Sequence, residues 1–419
     1  MIKDFFVNNR QKYLKEVEVN SVTVLFSGNV YQKSADSDFP FEVDKNFYYL
    51  TGINQSNCKL IIAKGEKVSL TYLFIDEYDE LLAKWVGKSL TVNEAKELSG
   101  IDDVLFNKDF EKTLNSLINP NRKSVVICDK IYLDLERRVG VDSITKGMAF
   151  SKEVRKSFPE ITLKNAYHTI VKLRMIKEEA EVEIIKQSIN TTKNALNKVM
   201  ANLKPNLYEY QIESVFDQAI QWENKTHAFE TICASGKNAT ILHYVNNDSL
   251  LNDGECVLFD LGSRTEFYVS DISRTYPING KFTPRQKEIY EAVLDVNKKC
   301  IEFLKPGLTW QEFNQYANSL LADHLKKLGK IKESKELINY YWHSIGHSIG
   351  LDTHDPVIAT LPIEENMIVT VEPGLYLEDE GFGVRIEDNI LVTKNGPVNL
   401  SKDIIKEVND IENYMKQFK

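Results

Sequence analysis

Apolar and polar positions follow two rhythms along the chain. Up to about residue 168, short apolar runs alternate with helical stretches. Phe5 to Glu16 carries apolar residues at helical spacing, and VTVLFSGN reads as a strand ending at a glycine turn. After the polar stretch YQKSADSDFPFEVDKNF come FYYLTGI and KLIIA, then a strand at TYLFID and another at VVICD behind the basic turn NPNRKS. Helical TVNEAKELSG and FEKTLNSLI lie between them, which predicts a mixed α/β layer. From about residue 169 the periods lengthen. VKLRMIKEEAEVEIIKQSINTTKNALNKVMANL predicts one long amphipathic helix, acidic near its start and closed by Pro205. YEYQIESVFDQAIQWEN predicts a second helix, and THAFETICASGKNATILHYVNND a strand, a glycine turn and a further strand ending at His243. Thr283 and Pro284 then read as N-cap and first residue of another helix. The expected organisation is α+β, with domains at 1–168 and 169–419.

Charged residues on otherwise apolar strands single out Val257 to Glu387. VLFDLG runs through SRTEF into YVSDISRT, and a turn centred between Thr265 and Glu266 would set Asp260 opposite Asp271. MIVTVEPGLYL runs through EDEGFG into VRIEDNILV, and a turn centred between Asp379 and Glu380 would set Glu372 opposite Glu387. Like charges across a ladder repel, so two such pairs on hydrophobic strands point to bound cations. Between the hairpins lies YYWHSIGHSIGLDTHDP, with His343, His347 and His354. His343 and His347 have the spacing of a helical zinc site, but Gly346 and Gly350 disfavour a helix. A glycine-rich strand or loop delivering one imidazole to the carboxylates is expected instead.

Composition narrows the classes of function. Of 419 residues, 42% are hydrophobic and 27% charged, with a net charge of −9, which gives no electrostatic reason to expect nucleic acid as a partner. The first residues hold no apolar core long enough for a signal peptide, and no apolar run approaches a membrane span. Five dispersed cysteines without CxxC spacing read as reduced thiols of a cytoplasmic protein. No repeat and no low-complexity tract is present.

Asp260, Asp271, His347, Glu372 and Glu387 make a hard, oxygen-rich ligand set. It suits Mn²⁺ above all, with Co²⁺, Zn²⁺ or Fe²⁺ also accommodated. Four carboxylates balance two divalent cations, and two metals sharing a water generate a bridging hydroxide near neutral pH. Such a centre suits amide hydrolysis; no cluster of Arg or Lys accompanies it to hold a phosphate. Arg385 precedes Glu387 by two and shares its strand face, within reach of a carboxylate or of Tyr376.

In order, HY at 243–244, FDLG with Asp260, SDISRT with Asp271, HSIGH, THD, VEPGLY with Glu372 and VRIEDN with Glu387 closely resemble the pita-bread dinuclear metallopeptidases. SADSDFPF, FYYLTGI and KWVGKSL resemble the creatinase-like domain that precedes the catalytic one in part of that family. The resemblance implies removal of the N-terminal residue from peptides with proline second, and a homo-oligomer, dimer or tetramer, without nucleic-acid or membrane partners. It has Asp260 hold one metal, Asp271 and Glu387 bridge both, and His347 and Glu372 complete the second, with Glu372 also the general base. His243 and His354 would stabilise the tetrahedral intermediate or pass a proton to the leaving nitrogen, Arg385 would join the catalytic set by fixing a bridging carboxylate or Tyr376, and His343 and Tyr376 would line the site. An aspartate near Asp36 would meet the arginine matching Arg385, and an aromatic matching Trp85 would reach a neighbouring subunit's pocket. The alternatives are a prolidase restricted to Xaa-Pro dipeptides and a non-catalytic binding scaffold. The latter has no need of four buried carboxylates.

Overall fold

The computed structural model describes residues 2–119, 124–137, 140 and 144–418, in two compact units, Met1–Arg174 and Met175–Lys419. Most of the expected basic turn, Pro120 to Lys123, lies outside the described residues. The units divide at the end of the helix Tyr167–Met175, a few residues beyond the boundary expected at 168/169.

The first unit is built on a six-stranded mixed sheet in the order Asp103–Phe106, Ser69–Ile75, Lys59–Lys64, Ser21–Phe26, Lys130–Leu133, Thr162–Asn165. Lys59–Lys64 pairs antiparallel with both neighbours, and the remaining pairings are parallel. Val22, Val24, Ile61 and Phe74 pack against Phe110, Leu114 and Leu117 of one helix and Val154 of another. A strand covered on both faces needs no polar alternation, which is why four of the five residues of VTVLF are apolar and the hydroxyl of the fifth, Thr23, is buried against Tyr13. FYYLT is helical, within Lys45–Thr51: the Asp44 carboxylate caps Phe47 N at 2.8 Å and Gly52 closes the helix at φ 71°. The strand expected at Val125–Asp129 starts only at Lys130, because the amides of Cys128 and Asp129 bond to Leu117 and Asn20 instead.

In the second unit, helices Glu179–Asn202, Glu209–Trp222, Pro284–Phe303 and Trp310–Lys327 accompany short antiparallel sheets. The single long helix expected from residue 171 is two, Tyr167–Met175 and Glu179–Asn202. A capping box between Glu178 and Glu181 starts the second, and the Lys177 amide bonds out to Asn366. Lys177 is buried and its ammonium pairs with buried Asp355 at 2.9 Å. The strand expected to end at His243 is absent; a 3-10 turn, Gly236–Thr240, gives way there to irregular chain. All five cysteines are buried and unpaired.

Candidate metal centre

The first hairpin pairs Cys256–Leu261 with Ile272–Pro277, setting Asp260 opposite Ser273. Its turn is Glu266–Phe267, at φ 47° and 73°, one residue beyond the expected centre. Left-handed backbone at Glu and Phe is unusual and no glycine or asparagine announces it. The shift moves the pairing by two residues, so Asp271 becomes a diagonal rather than a direct neighbour of Asp260. Even displacement preserves the face. The second hairpin has the expected register: Val371 pairs with Asp388 and Gly374 with Arg385, which brackets Glu372 opposite Glu387.

His347 arrives on a loop, as expected. Gly346 lets that loop lie against the strand Ile368–Val371, since a Cβ there would stand 2.0 Å from the Thr370 carbonyl oxygen. The His347 amide bonds to Thr370 Oγ1 at 2.9 Å. His347 Nδ1 lies 3.0 Å from the Ser348 carbonyl oxygen, which can only accept, so the proton sits on Nδ1. Nε2 is left as a lone-pair donor, 3.4 Å from Asp271 and 3.5 Å from Glu372. Ligand atoms of Asp271, His347 and Glu387 all lie within 4.8 Å of one another.

Burial and mutual repulsion raise the carboxyls of Asp271 and Glu387 well above the usual range, and burial raises Glu372 against the pull of His347 and Arg385. Asp260 Oδ1 and Glu387 Oε1 are buried without a hydrogen-bond partner among the described residues. Crowded carboxylates and buried lone pairs without donors fit a pair of cations.

Arg385 fixes the other carboxylate oxygens. Nη2 donates to Asp260 at 2.8 Å, Nε to Ser273 Oγ at 2.7 Å and Nη1 to Tyr376 Oη at 3.0 Å. Ser273 Oγ in turn donates to Glu387 Oε2 at 2.8 Å. Tyr376 Oη meets His343 Nε2 at 2.8 Å while His343 Nδ1 faces the Ser344 carbonyl oxygen, so the phenol donates to Nε2. Burial, then Arg385, hold His343 down at about 3, so it accepts as a neutral ring. The His354 ring stands 4.2 Å from that of His347. His243, His343, His354, Arg385 and all five candidate ligands line one cavity of about 630 Å³, whose apolar wall includes Leu242, Trp310 and Val357. Asp36, at the tip of a small hairpin, and Trp85, 82% exposed on the helix Glu80–Val86, belong to the first unit.

Sequence reading passed over the residues that hold the candidate ligands. Ser273 and Thr370 stand two positions from Asp271 and Glu372, a period-2 signal that was available. Asn389 clasps the Asp271 backbone, with Nδ2 donating to its carbonyl at 2.7 Å and Oδ1 accepting from its amide at 3.2 Å. Arg274, fully buried, donates to the Glu387 carbonyl and, at 2.8 Å, to Asp388.

Residues 183–394 match the model of metallopeptidase family M24, and residues 6–127 match that of the aminopeptidase P N-terminal domain. The chain belongs to family M24, in its aminopeptidase P branch, and its second unit is the pita-bread fold. It is 33% identical to an Xaa-Pro aminopeptidase of Haemophilus influenzae, across 99% of this chain and 97% of that one. A Bacillus anthracis structure assigned to aminopeptidase P superposes with a TM-score of 0.96 at 42% identity, covering 100% of this chain and 99% of that one. Aminopeptidase P of Escherichia coli with the inhibitor Pro-Leu superposes at 0.90 and 27% identity, with the same coverage.

Proposed function

We propose that the chain releases the N-terminal residue from peptides with proline second, and that Asp260, Asp271, His347, Glu372 and Glu387 hold two divalent cations for that reaction. The observation that carries this reading is His347, its Nδ1 tied back to Ser348 and its Nε2 presented to carboxylates that repel one another. The excess of oxygen ligands favours Mn²⁺. When bound, the cations polarise the scissile carbonyl and lower the pKa of a water between them.

The remaining work falls to side chains. Glu372, on the cavity wall, accepts the proton of the attacking water at its carboxylate. His243 and His354, on the cavity wall, donate to the oxygen that gains charge and to the departing proline nitrogen. Arg385 holds Asp260 directly and Glu387 through Ser273, and through the buried Tyr376 hydroxyl it positions His343 on the cavity wall. On the helix Glu80–Val86, Leu81, Leu82, Trp85 and Val86 are all exposed, which supports a homo-oligomer in which Trp85 reaches a second copy and Asp36 meets an arginine of the site. Buried free thiols suit a reducing, cytoplasmic setting.

Hydrolysis of a tripeptide Xaa-Pro-Yaa and of the dipeptide Xaa-Pro, with Mn²⁺ and after chelation, tests the reading. Metal-dependent cleavage of the tripeptide is expected, abolished by Asp271→Ala. Cleavage of the dipeptide alone would make the chain a prolidase, and an unaffected Asp271→Ala would remove the bridging role.

A further inference from the structure

His243 stands on a stretch that the backbone does little to hold. After the strand Ile232–Ser235 and the turn Gly236–Thr240, the chain runs without regular structure to Leu250. Among the described residues, no backbone–backbone hydrogen bond involves residues 242–248.

One side chain supplies what the backbone lacks. Glu209, at the start of the helix Glu209–Trp222, is fully buried. Its Oε1 accepts from Ser235 N at 2.6 Å, Ser235 Oγ at 2.7 Å and Asn238 Nδ2 at 3.1 Å. Its Oε2 accepts from Tyr244 Oη at 2.8 Å and Ser249 N at 2.9 Å. The donors lie before, within and after the segment, so one oxygen gathers its entry and the other its middle and exit. A carboxylate has about four lone-pair sites, and five donors occupy them. No Lys or Arg pairs with Glu209 among the described residues; backbone amides, hydroxyls and an amide side chain offset the cost of burying the charge. Asn247 adds a second clasp, accepting from Cys233 N at 3.0 Å and donating to the Thr231 carbonyl at 2.9 Å.

We infer that Glu209 is a positioning residue for the aminopeptidase reaction: by holding the segment 235–249, and Tyr244 in particular, it sets His243 into the wall of the catalytic cavity. The inference rests on the reading of His243 as a substrate contact. Glu209 itself neither lines the cavity nor belongs to the candidate ligands. Glutamine in its place would keep the size but turn an NH₂ toward donors, leaving at least one oxygen's worth of them without an acceptor.

The test is a double-mutant cycle in the Mn²⁺-loaded enzyme, joining Glu209→Gln with His243→Ala and reading kcat and KM on an Xaa-Pro-Yaa tripeptide. Calorimetry gives the Mn²⁺ affinity of each protein. His243→Ala is expected to lower kcat about 10²–10³-fold, as for loss of a donor to the transition state. Glu209→Gln should come within a few-fold of it, the double variant should be no worse than His243→Ala alone, and Mn²⁺ affinity should not move. Tyr244→Phe removes one of the five bonds and should show the same non-additivity at smaller amplitude; it carries the test if Glu209→Gln does not fold. Losses that multiply in the double variant, or that track Mn²⁺ affinity, would overturn the inference, as would wild-type kcat in Glu209→Gln and Tyr244→Phe beside an impaired His243→Ala. Full activity in His243→Ala would instead remove the role of His243, and the inference with it.

Discussion

Ser273 sits between two charged groups, donating to Glu387 at 2.8 Å and accepting from Arg385 at 2.7 Å. Its hydroxyl is the only link in that path that a methyl group could replace without changing the strand. Residues that orient ligands in this way change metal affinity or activity about 10- to 100-fold when removed. Ser273→Ala is therefore expected to weaken Mn²⁺ binding by that factor in a calorimetric titration, with the hairpin register intact. At this scale the candidate ligands stood out because ionisable residues on apolar strands are conspicuous, and the loop that carries His347 because two glycines disfavoured a helix around it. Ser273, Thr370 and Asn389 were not, because a hydroxyl or amide on a strand is common and its partner is known only when the strands are placed. Asn389 holds the backbone of Asp271, 118 positions away, and no local pattern encodes that.

Among elements, the two hairpins show where turn chemistry can be read and where it cannot. Gly381, at φ 72°, marks the second turn in the sequence, and its register came out as expected. The first turn places Glu266 and Phe267 in the left-handed region without such a mark, and its centre was misplaced by one residue. The long helix failed at Lys177 for another reason: its apolar pattern is continuous, but the Lys177 ammonium pairs with Asp355, its amide turns to Asn366, and Glu178 and Glu181 cap a new helix. The strand toward His243 failed because side chains, Glu209 foremost, do there what a ladder would do. The tip of the second hairpin is pinned by Glu380, which takes two bonds of 2.7 Å from Arg285 on the helix Pro284–Phe303 and a contact from Lys330. Arg285 chiefly, with Lys330, lowers the Glu380 carboxyl from 4.5 to about 2. A depressed acid stabilises the fold above its unfolded pKa and ceases to as pH falls through its folded one. Glu380→Gln should thus lower Tm by about 2–4 °C at pH 7, a modest figure for a partly exposed network. Melts at lower pH should show the gap closing between 4.5 and about 2.

For the molecule as a whole, each unit carries its own core, and the chemistry-bearing side chains gather on the second. Asp36 and Trp85, which the proposed homo-oligomer would bring to a site, lie on the first. The buried cysteines offer a way to ask the question. Burial holds the Cys58, Cys128 and Cys300 thiols up at about 12 and raises those of Cys233 and Cys256 as well. Thiolate is the form that maleimides attack, so these buried thiols are expected to resist labelling dyes in the native enzyme, which a maleimide titration of the unsubstituted chain checks. A single Trp85→Cys substitution would then create one addressable handle, on a side chain now 82% exposed. A polarity-sensitive fluorophore attached there should shift to the blue as concentration drives assembly, and a spectrum unchanged from the dilute protein would leave Trp85 in water. The same burial that gives these thiols no chemistry of their own makes the folded chain a clean background for optical probes.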